Sequence, residues 1–149
     1  MSATDPIRLF VAHNFEDHEE YAQVFEFLES RDNFYYVNFS DPENQPVGLE
    51  PMQEAIRQQI KNTEIVLFPF GVHASNPQLI DFELRVAQAF KVPILGIKSF
   101  GVTQLVSDEA LEAANEVVEW NDRVITDAIR RLARGEDTAQ WDVIEFDMD

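Results

Sequence analysis

One carboxylate breaks the pattern of the segment that carries it. The residues three and four positions either side of Glu83 are Leu79, Ile80, Val86 and Ala87, so on a helix from Pro77 to Phe90 the acid leaves from an apolar stripe. Asp81 provides the contrast. It has Pro77, Gln78, Leu84 and Arg85 at the same offsets, and pairing with Arg85 at i+4 makes it ordinary helix surface. A carboxylate on a burying face costs stability unless it is paired, hydrogen-bonded or given a chemical task. Both a structural partner and a task are open at this point. Any chemistry is based on oxygen or nitrogen, because the chain has no cysteine and hence no disulfide, thiolate nucleophile or cysteine-bound metal. His13, His18 and His73 are too few and too scattered for a metal signal, and no nucleophile-elbow motif supports a Ser-His-Asp triad.

The elements that must position Glu83 follow from the hydropathy pattern. Short apolar runs alternate with amphipathic stretches, which predicts a parallel sheet covered by helices on both faces. Ile7 to Ala12 reads as the first strand, Phe15 to Ser30 as a helix, Phe34 to Phe39 as the second strand and Pro51 to Lys61 as the second helix. Ile65 to Phe70 is the third strand. Asn76 can cap the next helix and Pro77 fits its first position, where a missing N–H costs nothing. Val92 to Ser99, Glu116 to Trp120 and the helices Ser107 to Ala114 and Asp122 to Ala133 complete the alternation.

This succession predicts a flavodoxin-like α/β fold, three layers with a five-stranded parallel sheet in the order 2-1-3-4-5, whose ligand crevice opens between strands 1 and 3. His13, Asn14 and Phe15 leave strand 1 at that crevice, and Gly71, Val72 and His73 leave strand 3. Glu83 lies on the helix that follows. Two familiar occupants do not fit. The turn AHNFEDH lacks the glycine and hydroxyl residues of a flavin phosphate loop, and the third strand ends in Phe70 and Gly71 without a phosphoacceptor Asp.

The 149 residues suffice for one core, read as a domain over 1–134 with an acidic tail over 135–149 that either docks on the domain or engages another molecule. The net charge of -17 arises from 28 acids against 11 bases, and the tail accounts for only six of the acids. With no basic stripe, nucleic acid is not an expected partner. The charge itself reads as solubility or adaptation to high salt. No apolar run spans a membrane and the N-terminus does not read as a signal peptide, so the expectation is a soluble cytoplasmic protein.

The segments IRLFVAHNFEDH, IVLFPFGVHASNPQLIDFEL and VPILGIKSFG, in this order and spacing, resemble the TIR-like proteins of the bacterial Thoeris antiphage system. The resemblance extends over about Ile7 to Leu132. Ala12, His13 and Asn14 match the family's Ser/Ala-His-Ser-like turn with Asn in the last place, and the family's catalytic glutamate corresponds to Glu83. One turn earlier, Leu79 stands where a serine or cysteine often accompanies that glutamate.

The resemblance implies cleavage of the nicotinamide–ribose bond of NAD+, which is a substrate rather than a cofactor. The ADP-ribose-derived product, cyclised or conjugated, would signal to a partner effector. Such cleavage develops oxocarbenium character, which one carboxylate can oppose without a metal. Glu83 is the implied catalytic residue, and His13, Asn14, Phe15, Phe39, Ser40, Gly71 and Asn76 are the implied substrate-binding set. His13 and Asn14 either contact ribose or phosphate or cap the first helix; Phe15 and Phe39 either stack on a base or pack in the core. The Ser40 to Leu49 loop corresponds to one that contributes to substrate binding and self-association in many TIR domains, and also reads as an ordinary turn-rich connection. Only Lys98 and backbone amides present themselves as phosphate donors. A non-catalytic interaction or nucleotide-sensing module is the alternative.

Overall fold

Strands buried on both faces need near-continuous apolar sequence, and the three central strands have it. The computed structural model describes residues 1–98 and 106–136. β1 (Ile7–Val11), β3 (Ile65–Pro69) and β4 (Ile94–Ile97) lie between two three-residue edge strands, β2 (Tyr36–Asn38) and β5 (Glu116–Val118). All pairings are parallel and the order is β2-β1-β3-β4-β5, the flavodoxin-like arrangement that the alternation predicts.

Side chains alternate between the two faces with period two. Phe10, Ala12, Val66, Phe68 and Ile94 point to one side. There they meet Ile56 and Ile60 of α2 (Leu49–Ile60) and Ile80, Leu84 and Ala87 of α4 (Pro77–Ala89). Ile7, Leu9, Val11, Ile65, Leu67, Leu95 and Ile97 point to the other, against Val24 and Leu28 of α1 (Glu19–Glu29) and Ile125, Ala128 and Ile129 of α6 (Asp122–Arg134). Ser107 caps α5 (Asp108–Ala113), and Asn121 caps α6 through the Val124 N–H.

Three local differences from the sequence reading bear on the site. α1 begins at Glu19 rather than Phe15, because Phe15 takes a left-handed φ of 62° and His18, not His13 or Asn14, accepts the Glu20 N–H as N-cap. The preceding turn is fastened by Asn14, whose Oδ1 accepts the Glu16 N–H at 3.1 Å. A short helix, α3 (Gly71–Ser75), fills what reads as a loop; at five residues it is too short for hydrophobic periodicity to reveal. β2 is limited to Tyr36–Asn38, although single bonds from Ile7 N–H to the Tyr35 carbonyl and from Phe39 N–H to the Leu9 carbonyl extend the pairing at each end. The end of the fourth predicted strand at Ser99, and the tail beyond Glu136, lie outside the described residues.

Among the described residues, no helix is long and apolar enough to cross a membrane.

Candidate active site

The site is built where β1 and β3 end side by side, tied by the Ala12 N–H to the Leu67 carbonyl at 2.9 Å. From there β1 runs into the turn His13-Asn14-Phe15, while β3 runs into α3 and then α4. Asn76 starts α4 by accepting the Leu79 N–H at 3.2 Å, which sets the helix phase and turns Glu83 inward. Glu83 is completely buried. Its Oε1 accepts the backbone N–H of His13 at 3.0 Å, and its Oε2 has no hydrogen-bond partner among the described residues. Burial drives its pKa well above the ordinary carboxylate value, and the single N–H bond opposes this only in part.

His13 is the hub of the turn. Its Nε2 lies 2.8 Å from Gln59 Oε1, and its Nδ1 accepts the Phe15 N–H at 3.2 Å. Burial lowers its pKa, outweighing the Gln59 hydrogen bond and the Asp41 charge that act to raise it. The Phe15 ring stands edge-on to the imidazole with centroids 4.7 Å apart. A bulky residue in the left-handed region costs on the order of 1–3 kcal/mol, so the Phe15 conformation persists only because these contacts over-determine it.

The loop after β2 joins the same network. Gln59 Oε1 also accepts the Asp41 N–H at 2.9 Å, and the buried Ser40 hydroxyl meets Tyr21 Oη at 2.8 Å and the Asn38 carboxamide oxygen. Tyr21 in turn approaches the His13 ring, with centroids 6.3 Å apart. Across the crevice, the Gly71 N–H donates to Glu20 Oε1 at 3.0 Å, and a Cβ on Gly71 would lie 2.3 Å from Glu20 Oε2. Only glycine admits that carboxylate without a shift.

The sequence-named residues therefore separate into groups. Glu83, His13 and Phe15 form one connected unit, and Ser40 reaches it through Tyr21. Asn14 is committed to its turn through Oδ1 and Asn76 to its helix cap. Phe39 is half-buried at the end of β2, and Gly71 faces Glu20. Lys98 lies 4.0 Å from Glu119, on a side chain 58% exposed.

The reading of Asp81 needs correction. Its Oδ1 lies 2.9 Å from His73 Nε2 and 3.4 Å from Ser107 Oγ, whereas Arg85 pairs with Glu109 at 3.0 Å. The His73 contact comes from α3, the short helix that the sequence reading did not contain, so the local i+4 pairing was the only partner in view. Gln59 was also missed. It stands four and three residues after Ala55 and Ile56, but Asn62 and Thr63 follow at the same offsets, so no apolar stripe surrounds it and periodicity does not single it out.

A groove of about 600 Å3 lies apart from this unit, between α1 and the turn at Pro42 and Glu43, with Tyr21 and Phe25 in its wall. Glu83 does not line it.

Fold and site together define a flavodoxin-like α/β domain of TIR-like type, with one buried acid at its topological switch point. Residues 10–104, well over half of the chain, match the family described as Thoeris protein ThsB, TIR-like domain, and the chain belongs to that family. A comparison with curated proteins yields no match. Among solved structures, the chain is similar to a putative pilus assembly-related protein from Burkholderia pseudomallei K96243. The two are 17% identical with a TM-score of 0.52, over 85% of this chain and 89% of that one, a likeness that shows the fold alone.

Proposed function

We propose that this TIR-like domain cleaves the bond between nicotinamide and ribose in NAD+, with Glu83 as the catalytic residue. The observation that carries the reading is an inward-facing acid with one oxygen held by the His13 N–H and the other unpartnered, at the switch point of a fold that binds ligands there. As the C1′–N bond breaks, its electron pair leaves with neutral nicotinamide and the ribose gains oxocarbenium character. A carboxylate at Oε2 would oppose that charge and accept from the ribose hydroxyls. In a desolvated site such stabilisation is worth about 3–4 kcal/mol, or roughly 10²–10³ in rate. Water or a second nucleophile then adds to C1′ and releases a proton, giving ADP-ribose or a cyclised or conjugated derivative. The positive nicotinamide ring favours the ionised form of Glu83, against the effect of burial.

The remaining assignments belong to the same reading. Residues 1–134 act as the domain and 135–149 as an acidic extension, with His13, Phe15 and Ser40 lining the substrate side. The product reaches an effector protein in the cytoplasm.

One observation favours a second reading. Burial raises the pKa of Glu83, and a carboxyl kept neutral by burial would serve as a structural group in a non-catalytic interaction or nucleotide-sensing module. Incubating wild type and Glu83→Gln with NAD+ and following nicotinamide and ADP-ribose species by mass spectrometry separates the two. Turnover in wild type alone supports catalysis. Equal turnover in both rejects the role of Glu83, and turnover in neither favours the module.

A further inference from the structure

We propose that Gln59 is the positioning residue of this site: by accepting from both Asp41 and His13 it fixes the His13 tautomer and ties the loop after β2 to the turn that holds Glu83. The inference rests on the assignment of Glu83 to NAD+ cleavage for its effect on turnover, but not for its effect on His13.

The Asp41 backbone N–H has only a proton to offer, so the Gln59 atom 2.9 Å away is the carboxamide oxygen. That oxygen carries no hydrogen, and His13 Nε2 lies 2.8 Å from it, so Nε2 bears the proton. The other ring nitrogen gives the same answer independently. Nδ1 receives the Phe15 N–H at 3.2 Å and must present a lone pair. Both contacts require a neutral imidazole protonated on Nε2, and burial of the ring favours the same neutral state.

A chain of dependence runs from there to the acid. The Nδ1 lone pair holds the Phe15 N–H and with it the left-handed backbone at Phe15. That turn begins at His13, whose own N–H is the bond to Glu83 Oε1. Moving the proton to Nδ1 would set two N–H groups against each other at Phe15 and leave Nε2 without a donor for Gln59. Gln59 thus connects α2, the Asp41 loop and the β1 turn through one oxygen, and its hydrogen bonds among the described residues do not include Glu83. Its role is to position.

The test is to record the His13 ring nitrogen shifts at pH 7 in the full chain, for wild type, Gln59→Leu and the exposed neighbour Gln58→Leu. Wild type and Gln58→Leu are expected to show neutral imidazole protonated on Nε2. An Nδ1-protonated ring or an imidazolium in wild type overturns the proposal. Gln59→Leu removes the stronger of the two contacts that select the Nε2-protonated ring, leaving only the 3.2 Å Phe15 N–H on Nδ1, and is expected to shift His13 toward a mixture of tautomers and to lower kcat for NAD+ cleavage about tenfold, with KM within about twofold. An unchanged His13 tautomer in Gln59→Leu overturns the proposal even if turnover falls. Should Gln59→Leu fail to fold, Gln59→Ala and the wild-type spectrum still decide. If wild type does not cleave NAD+, the reading of Glu83 fails while the nitrogen shifts continue to judge Gln59.

Discussion

Two glutamates at opposite ends of the sheet receive opposite treatment. Glu64 immediately precedes β3 at the amino end. It takes the Arg8 N–H at 2.9 Å, a 3.1 Å bond from Arg134 Nη2 and a second bond from Arg134 Nε. Burial acts to raise its pKa, yet the Arg134 and Arg8 hydrogen bonds and charges together hold it below the ordinary value. Arg134 extends the clasp to Asp5 at 2.9 Å and the Pro6 carbonyl at 3.2 Å from the last turn of α6, where the helix dipole favours a cation. Glu83, at the carboxyl end, is more deeply buried and, among the described residues, has one N–H and no cation in hydrogen-bond contact. The fold compensates the acid that ties α6 to the start of β1 and leaves uncompensated the acid buried behind the β1 turn. That contrast is what the proposed catalytic role of Glu83 expects, because a buried acid that serves only as a brace is normally paired.

Substitutions at the two ends should separate these roles, and the largest effect falls on activity. Glu83→Gln should reduce nicotinamide release by about 10²–10³, while urea denaturation finds stability unchanged or slightly increased; an active variant would remove the contrast. The next effect falls on stability. Arg134→Met removes the guanidinium from Glu64 and Asp5 and leaves Glu64 only Arg8, which should cost about 1–3 kcal/mol in urea unfolding, with residual turnover unchanged at temperatures where the variant remains folded.

Titration sharpens the contrast further. The folded pKa of Glu64 is lowered, so its stabilisation is present above its unfolded value and is lost as pH falls through the folded value; Glu64→Gln should flatten that acid-side loss. The folded pKa of Glu83 is raised, so the native state holds the extra proton and stability declines as pH rises from the unfolded value toward the folded one. Glu83→Gln should abolish that decline. Unfolding curves from about pH 3 to pH 8 read both slopes.

The smallest effect tests the crevice lip. Gly71→Ala would place a methyl against the Glu20 carboxylate and should cost about 1 kcal/mol in thermal unfolding. Adding Glu20→Ala relieves the clash but removes the acceptor of the Gly71 N–H, so the double variant should recover only part of the loss.

What the sequence disclosed depended on whether the cause was periodic. The three central strands were legible because two-sided burial demands near-continuous apolar runs, and Glu83 because a charge interrupts a helical stripe. The cap at Asn76 was legible because Asn followed by Pro has a local meaning at a helix start. The start of α1 was not, since the left-handed Phe15 is held by a ring nitrogen and not by its own propensity. Asp81 was misread because its partner His73 comes from a helix with no periodicity to display. Gln59 meets its partners across 46 and 18 residues of sequence, beyond the reach of any local pattern.

The brevity of the outer strands has its own consequence. An edge of three residues at Tyr36–Asn38 or Glu116–Val118 gives an incoming peptide little backbone to zip along. The sheet is a poor template for strand addition. What this leaves open to another molecule, among the described residues, is the outer surface of the helices and loops, where residues can change without disturbing the ladder beneath.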